Sequence, residues 1–391
     1  MPPNYTTLGE TIGAYWPILA CAFAVSLVAT PLCRRYALNK NIVDRPDEFL
    51  KPHKRPIPYL GGVAIFLGWA AGILFALVLF AATPHPTAGA RGPLLNTTLT
   101  VGILAAGLAI TLLGLFDDLH LASTVVKLAG GLLVAVILVL FGLGDDTLLL
   151  LLRSIGAHPK DLPRVLVLTV SIPFTMFIVL GACNATNLID GLDGLCSGVL
   201  GIMAAGFLVL AVDLHLWNDW RPLDVQRVVI SSAMMGAALG FLPYNRSPAK
   251  IFMGDAGSML LGLNAAILLL LFAKSSETIR WMLGSLMMFG LPLADMVLTL
   301  ARRRRNQRPL MVGDRSHFYD QLVDRGWPIQ RVVRVSYALA AFFALMGCAP
   351  IVLRLRYIVP LYMLVVAGVV ALVAKFTMVR VEPPQPSEPR P

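Results

Sequence analysis

Two adjacent carboxylates end one of the apolar runs of this chain, in the sequence G-L-F-D-D-L. Asp117 and Asp118 repel each other, so the pair favours either a bound cation or one raised pKa. Lys127 lies inside the next apolar run, where a lysine needs an anionic partner. The sequence leaves open whether that partner is a carboxylate or a substrate phosphate. The alternative is that both aspartates simply end a helix in water.

A second acidic segment reads N-A-T-N-L-I-D-G-L-D-G-L, from Asn184 to Leu195. Asp190 and Asp193 are three residues apart, so one helical turn would place both on the same face. Gly191 and Gly194 would let the backbone approach a ligand closely. Oxygen ligands at this spacing suit Mg²⁺, which shares its coordination shell with substrate phosphates. The alternative is an ordinary loop with Asn and Asp as turn formers.

A third segment, F-M-G-D-A-G-S-M from Phe252 to Met259, is typical of a loop that leads into a helix. The free N–H groups of such a helix could face an anion. Asp255 beside an anion makes more sense if a metal ion bridges the two. The alternative is a plain helix cap.

Two basic segments could contact phosphate. The first holds Lys51, His53 and Lys54 before a proline-rich turn, and it indicates a cationic flap over an anionic substrate. The second contains Arg315 and His317, which are candidates for phosphate contact because a lone His beside Arg and Asp has little packing value. Charge that fixes membrane topology is the alternative for the first segment, and a solvated histidine for the second.

Near the second basic segment, the run Arg302–Arg305 is typical of topogenic charge or of binding to anionic lipid headgroups. Asp295 lies late in an apolar run, after Pro292. We expect Asp295 to pair with Arg302, two helical turns away.

The elements that position these residues are membrane helices. The chain is 57% hydrophobic and 14% charged, with a mean hydropathy of +0.75, and apolar runs recur along almost all of it. We expect an all-α polytopic membrane protein with about eleven transmembrane helices. The predicted spans are roughly 14–32, 59–82, 97–116, 121–143, 165–183, 195–214, 226–244, 256–273, 279–301, 335–353 and 357–375.

The positive charges predict the orientation. Of the Lys and Arg residues, 21 fall on one side of the predicted membrane and 10 on the other. The positive-inside rule then places the C-terminus in the cytoplasm, the N-terminus outside and all the acidic motifs on the cytoplasmic face. The net charge of +10 is explained in this way, so we expect no nucleic-acid partner. We predict one membrane domain, 1–375, and a disordered cytoplasmic tail, 376–391.

The motifs together resemble a known family. Apolar-D-D-L, N-x-x-N-x-x-D-G-x-D-G-L, F-x-G-D-x-G-S and D-R-x-H, in this order, are similar to the polyprenyl-phosphate N-acetylhexosamine-1-phosphate transferases, glycosyltransferase family 4. The resemblance covers roughly residues 40–325 and leans toward the branch that uses UDP-N-acetylglucosamine. It implies transfer of N-acetylglucosamine 1-phosphate, or a related sugar phosphate, to undecaprenyl phosphate with release of UMP, in a bacterial cytoplasmic membrane.

The resemblance also implies cofactors, partners and site residues. We expect Mg²⁺ or Mn²⁺, a UDP-sugar and undecaprenyl phosphate, with homodimer formation left open. The residues expected to be catalytic are Asp117, Asp118, Asp190, Asp193 and His317. Those expected to bind substrate are Lys51, His53, Lys54, Lys127, Asn184, Asn187, Phe252, Gly254 and Arg315. The expected metal ligands are Asp255 and Asp118.

The chain departs from the family pattern at one place, and two other functions remain alternatives. Hexosamine transferases read H-x-H-H where this chain has His317, Phe318, Tyr319 and Asp320, which leaves the sugar open. The related function is a phospho-N-acetylmuramoyl-pentapeptide transferase. The alternative from a different functional class is a cation-coupled transporter. Such a protein would need carboxylates deep in its spans, and only Asp295 clearly lies at such a place.

Overall fold

The computed structural model describes residues 8–44, 56–81, 95–119, 123–145, 148–149, 152, 162–217, 221–274, 279–307 and 317–379. The α-helices are α1 (Leu8–Asn39), α2 (Gly61–Ala81), α3 (Thr97–Asp118), α4 (Thr124–Leu140), α5 (Arg164–Ile189), α6 (Leu195–Trp217), α7 (Pro222–Asn245), α8 (Gly254–Phe272), α9 (Ile279–Met288), α10 (Gly290–Arg305), α11 (Phe318–Asp324), α12 (Ile329–Gly347) and α13 (Leu355–Lys375). The short strands β1 (Val43–Asp44) and β2 (Ile57–Pro58) pair antiparallel, and a 3₁₀ turn, Ala349–Ile351, follows α12.

Each predicted span overlaps one α-helix of the structure, except the span at 279–301, which overlaps two. Within the described ranges, nine helices are long and apolar enough to cross a bilayer, or ten if the bent pair α9 and α10 is one span. The 17 residues of α4 extend about 25 Å, less than a hydrocarbon layer about 30 Å thick. The predicted all-α, multi-pass membrane protein is therefore confirmed, while the number of eleven crossings stays a prediction.

The span predicted at 279–301 is not a single straight helix. It consists of α9 and α10, which meet at Phe289 at an angle of 69°. Pro292 has no N–H and cannot bond to the carbonyl of Met288 four residues earlier, so the helical hydrogen-bond pattern is interrupted at this point. The hydropathy of the segment contains no information about this bend.

Helix α8 lies at the centre of the bundle, against α2, α3 and α5, and every residue from Ala256 to Phe272 is buried. Glycines allow its neighbours to approach closely. A Cβ at Gly114 of α3 would lie 2.5 Å from the backbone nitrogen of Ala256. A Cβ at Gly262 of α8 would lie 2.7 Å from the Cα of Cys183 in α5. Such contacts between small residues stabilise helix pairs in a bilayer, where lipid is as apolar as the side chains.

The segment before α2 is joined to the segment before α8 by backbone hydrogen bonds. The amide of Phe252 donates to the carbonyl of Pro58 over 3.0 Å, and the amide of Gly61 donates to the carbonyl of Phe252 over 3.0 Å. The chain near β2 is therefore fixed at the same end of the bundle as the start of α8. The connection between β1 and β2, residues 45–55, lies outside the described residues.

The C-terminal segment is attached to the fold beyond the end of α13. The carbonyl of Phe376 accepts a hydrogen bond from Arg325 over 2.7 Å, and the carbonyl of Met378 accepts one from Gln321 over 3.1 Å. Residues 376 and 378 are thus joined to α11 and the residue that follows it, and the predicted disordered tail stays a prediction. Residues 380–391 lie outside the described residues.

The opposite end of the bundle is closed by a buried ion pair. Arg227 near the start of α7 bonds to Asp224, and both side chains are 0% exposed. Arg227 also donates through Nη2 to the carbonyl of Leu271 over 2.6 Å, at the end of α8. Lys274, which follows α8 in the chain, forms a partly exposed ion pair with Asp145 over 2.9 Å.

Arg227→Met should therefore destabilise the protein, by about 3 kcal/mol, because Asp224 would keep a buried charge without its main partner. Thermal unfolding in detergent micelles measures this. Lys274→Met is the matched control, because its pair is partly exposed and contributes at most about 1 kcal/mol. Equal melting temperatures for the two variants would contradict the prediction.

Candidate active site

A cavity of about 1000 Å³ lies among the helix ends on the side of the bundle where β1 and β2 pair. Its walls come from the end of α1, the segment before α2, the ends of α3 and α5, and the segment that joins α7 to α8. Six aspartates line it: Asp44, Asp117, Asp118, Asp190, Asp193 and Asp255. The acidic motifs, far apart in sequence, therefore meet in one place.

Asp118 caps the start of α8. The amide of Asp255 donates to Oδ1 of Asp118 over 2.7 Å, and the amide of Ala256 donates to Oδ2 over 3.2 Å. The first amides of a helix have no partner within the helix and carry partial positive charge. The sequence predicted that this helix start could face an anion, and here that anion is a carboxylate of the protein itself.

Gly254 allows this contact. Its φ is +66°, in the left-handed region that favours glycine, and a Cβ would lie 2.5 Å from Oδ2 of Asp118. Gly254 also lines the cavity. Its predicted role in substrate binding stays a prediction, while its need for a bare backbone follows from the contact with Asp118.

Asp117 has a different partner from its neighbour. Its carboxylate forms an ion pair with Lys127 of α4, and the lysine Nζ also lies 3.9 Å from Oδ2 of Asp255. The carboxyl groups of Asp117 and Asp255 are within hydrogen-bonding reach of each other. The partner of Lys127, which the sequence left open, is thus a carboxylate at the edge of the cavity.

The two predicted asparagines of α5 differ in position. Asn187 donates through Nδ2 to Oδ1 of Asp255 over 2.6 Å and to Oγ of Ser258 over 3.2 Å. Asn184 is exposed and does not line the cavity. Asn187 therefore holds Asp255 in place, whereas the structure gives Asn184 no contact with the site.

Asp190 and Asp193 lie on a turn between α5 and α6, not on one helical face as predicted. We call residues 190–194 the acidic turn. The amide of Ala249 donates to Oδ2 of Asp193 over 2.9 Å, which fixes one aspartate to the opposite wall. Burial raises the pKa of Asp190 well above its ordinary range, and three neighbouring aspartates raise it further.

Asn245, at the end of α7, is a site residue that the sequence reasoning missed. Its Oδ1 accepts hydrogen bonds from the amide of Gly194 over 3.2 Å and from Oγ of Ser197 over 2.9 Å. Its Nδ2 donates to the carbonyl of Ile251 over 3.2 Å. The signal was a polar side chain at the end of an apolar run.

His317 is buried behind the cavity rather than on its wall. It is 6% exposed, and its Nδ1 lies 2.8 Å from Oδ2 of Asp295 in α10. Oδ1 of Asp295 accepts the amide hydrogen of Phe318 over 3.0 Å. Asp295, which we expected to pair with Arg302, thus fixes the start of α11. The catalytic role of His317 stays a prediction.

Two aromatic rings lie together in the cavity wall. The ring centroids of Tyr59 and Phe252 are 6.2 Å apart at 51°. Phe252 was predicted to contact substrate, whereas Tyr59 was missed because only the basic residues of its segment were considered as substrate contacts. Four other predicted residues, Lys51, His53, Lys54 and Arg315, lie outside the described residues.

The donor groups of the cavity fit a magnesium ion that is shared with phosphates. In the described ranges, no three His, Cys, Asp or Glu side chains converge closely enough to hold a metal alone. Mg²⁺ usually binds through one or two carboxylates, with waters and phosphate oxygens as its other ligands. Of the two predicted ligands, Asp255 fits better, because both oxygens of Asp118 already accept amide hydrogens.

Comparison with known proteins shows the family to which this chain belongs. The model of glycosyl transferase family 4 matches residues 100–273. A protein of Bacillus subtilis (strain 168) named "Probable undecaprenyl-phosphate N-acetylglucosaminyl 1-phosphate transferase" is 33% identical over 331 residues, 84% of this chain and 83% of that protein. The chain belongs to glycosyl transferase family 4.

Two further relatives are similar over comparable lengths. A decaprenyl-phosphate N-acetylglucosaminephosphotransferase of Mycobacterium tuberculosis (strain ATCC 25618 / H37Rv) is 32% identical over 365 residues, 90% of this chain and 87% of that protein. A phospho-N-acetylmuramoyl-pentapeptide-transferase of Corynebacterium jeikeium (strain K411) is 29% identical over 360 residues, 84% of this chain and 94% of that protein. The resemblance inferred from the motifs is thereby confirmed at the level of the family.

The two adjacent aspartates should differ in their effect on stability. Asp118→Ala removes a charged cap from two amides of α8, so we expect the free energy of unfolding to fall by about 2 kcal/mol. Asp117→Ala is the matched control: the side chain of Lys127 is 43% exposed, so its ion pair contributes less than about 1 kcal/mol. Thermal unfolding in detergent compares them, and a larger loss in Asp117→Ala would contradict the capping role.

Proposed function

We propose that this protein transfers N-acetylglucosamine 1-phosphate, or the 1-phosphate of a related N-acetylhexosamine, from a UDP-sugar to undecaprenyl phosphate and releases UMP. The reaction would be the first membrane step in the synthesis of a cell-envelope polysaccharide. The observation that carries the proposal is the cavity of six aspartates at the helix ends, in a family 4 chain that is 33% identical to a relative named for this activity.

The place of the cavity suits the two substrates. A lipid phosphate has its headgroup at the membrane surface, and a sugar nucleotide is soluble, so both can meet only where helix ends face water. Transfer between two phosphates leaves the protein mainly the tasks of aligning two polyanions and neutralising charge at the transferred phosphorus. Charged side chains at fixed positions, such as the pair of Lys127 with Asp117, suit these tasks.

The proposed step is a direct displacement. An oxygen of the lipid phosphate attacks the β-phosphorus of the UDP-sugar and forms a new P–O bond. The bond from this phosphorus to the bridging oxygen breaks, and that oxygen leaves with UMP. The lipid then carries a diphosphate joined to the sugar. A trapped phosphoryl-aspartate would instead indicate a route in two steps.

Different aspartates would contact different parts of the two substrates. Asp117 and Asp118 would position the lipid phosphate, and Asp190 and Asp193 would face the nucleotide diphosphate. Mg²⁺ or Mn²⁺ would be held by Asp255 together with a neighbouring carboxylate, and when bound it would supply positive charge to the phosphate oxygens.

The substrate-binding residues follow from the same arrangement. Phe252 and Tyr59 would contact the nucleobase, since a planar base packs well against aromatic rings. Lys127 could release Asp117 and turn to a phosphate, because its side chain is 43% exposed.

We place the cavity on the cytoplasmic side of a bacterial inner membrane. The segments that line it all belong to the side that carries 21 of the Lys and Arg residues in the predicted topology. This orientation gives the site access to a cytoplasmic sugar nucleotide, and it leaves the end with Arg227 and Asp224 on the outer side.

Purified protein with undecaprenyl phosphate, Mg²⁺ and one UDP-sugar at a time tests the function. We expect UMP release with UDP-N-acetylglucosamine or a related UDP-N-acetylhexosamine, loss of turnover with a chelator, and recovery when Mg²⁺ is restored. UMP release only with UDP-N-acetylmuramoyl-pentapeptide would reject the proposed donor. Cation flux into liposomes without any nucleotide would favour the transporter alternative.

The two asparagines of α5 offer a matched pair of variants. Asn187→Ala should lower kcat about 100-fold, because Asp255 loses the group that orients it. Asn184→Ala should stay within about twofold of wild type, because Asn184 is exposed away from the cavity and exposed changes have small effects. UMP release measures kcat for both variants. An equal loss of kcat in the two would contradict the role of Asn187 in orienting Asp255.

A further inference from the structure

The acidic turn is held at both ends by tyrosine hydroxyls from another part of the chain. Tyr319 of α11 donates to the carbonyl of Leu188 over 2.7 Å. Tyr337 of α12 donates to the carbonyl of Gly194 over 2.6 Å. We call these two residues the tyrosine clamp. Between the two carbonyls lie both aspartates of the turn, so the clamp fixes the backbone on either side of them.

The clamp gives a hydrogen-bond donor to a backbone carbonyl that has no partner within its own helix. Leu188 lies in the last turn of α5, where carbonyls have no partner within the helix. This hydrogen bond is part-buried, and a carbonyl shielded from water is costly to leave without a partner, so the bond from Tyr319 favours this position of the turn over others.

The two rings also pack directly on glycines of the same segment. A Cβ at Gly191 would lie 2.7 Å from Cζ of Tyr319. A Cβ at Gly198, in the first turn of α6, would likewise overlap Cζ of Tyr337. Gly191, which the sequence explained by close approach of a ligand, therefore also makes room for a tyrosine ring.

Tyr319 is itself fixed by the bent helix pair. Its ring stacks on His317, with centroids 5.4 Å apart and planes at 14°. His317 and the amide of Phe318 bond to Asp295 of α10, over 2.8 and 3.0 Å. A continuous series of contacts thus runs from α10 through α11 to the acidic turn.

Tyr319 is where this chain departs from the family pattern. Tyr319 and Asp320 stand where hexosamine transferases carry histidines. Asp320 accepts the amide hydrogen of His317 over 3.2 Å and so caps α11. Both replacements therefore have a structural use in this chain.

We infer that Tyr319 and Tyr337 are positioning residues for the transfer reaction, which act by fixing the backbone that carries Asp190 and Asp193. This inference rests on the proposed function. Neither hydroxyl needs to touch substrate, because a displacement of about 1 Å in an aligned site can cost a factor of about 100 in rate.

Tyr319→Phe, Tyr337→Phe and the double variant test the clamp, since each removes a hydroxyl and keeps the ring. Tyr362→Phe is the matched control: Tyr362 of α13 donates over 2.9 Å to the carbonyl of Met346, near the end of α12 and away from the cavity. The measurements are kcat and KM for UMP release, and amide hydrogen exchange of the peptide that covers residues 188–194.

We expect each clamp variant to lower kcat about 10-fold, with KM for the UDP-sugar within about twofold of wild type. Exchange in residues 188–194 should become faster in the clamp variants and stay unchanged in Tyr362→Phe. Wild-type kcat and exchange in the double variant would overturn the inference. A loss of thermal stability alone, equal to that of Tyr362→Phe, would also overturn it.

Failure of the proposed function would be visible separately. Wild-type protein that releases no UMP from any UDP-sugar would refute the function. Hydrogen exchange alone would then decide whether the tyrosines hold the turn, with faster exchange supporting the clamp and unchanged exchange rejecting it.

Discussion

The start of α8 is the point on which the rest of the site depends. Asp118 accepts hydrogen bonds there from the amides of Asp255 and Ala256, and the positive end of the helix dipole offsets the cost of a charged group beside the apolar core. This contact places Asp255 next to the end of α3. It also requires the bare backbone of Gly254 and the close approach of Gly114. The alignment of α3 with α8 and the position of one carboxylate are therefore set by the same few atoms.

Three of the other aspartates are each held by a different kind of group. Asp117 pairs with Lys127, Asp193 accepts an amide hydrogen from Ala249, and Asp255 accepts one from the side chain of Asn187. These contacts orient the carboxylates, and Lys127 lies within ion-pair distance of both Asp117 and Asp255. Six aspartates around one cavity favour a bound cation, and phosphate groups can enter only if their charge is offset as well, to which Arg34 and Lys250 of the same wall can contribute.

The sequence predicted the membrane helices well, because a run of apolar residues has few alternatives in a bilayer. It also predicted that the aspartates share one end, since topology alone decides on which side each helix ends. It did not predict the 69° bend between α9 and α10, because the span was assigned from hydropathy, which does not record the hydrogen bond that Pro292 cannot make. Nor could it find Asn245 or Tyr59, whose roles come from contacts between distant segments, or the capping by Asp118, where a carboxylate of the chain occupies the place expected for a ligand.

The altered histidine motif shows why a motif cannot be interpreted one position at a time. Tyr319 and Asp320 depart from the family pattern, yet Asp320 caps α11 and Tyr319 bonds to the end of α5. Only His317 keeps the pattern, and it contacts Asp295, not the cavity. The motif in this chain therefore joins α10 and α11 to the acidic turn. Contacts of Asp295 with His317, of His317 with Tyr319 and of Tyr319 with Leu188 connect α10 to the backbone beside Asp190. The geometry of the site thus depends on a helix that contributes no residue to the cavity wall.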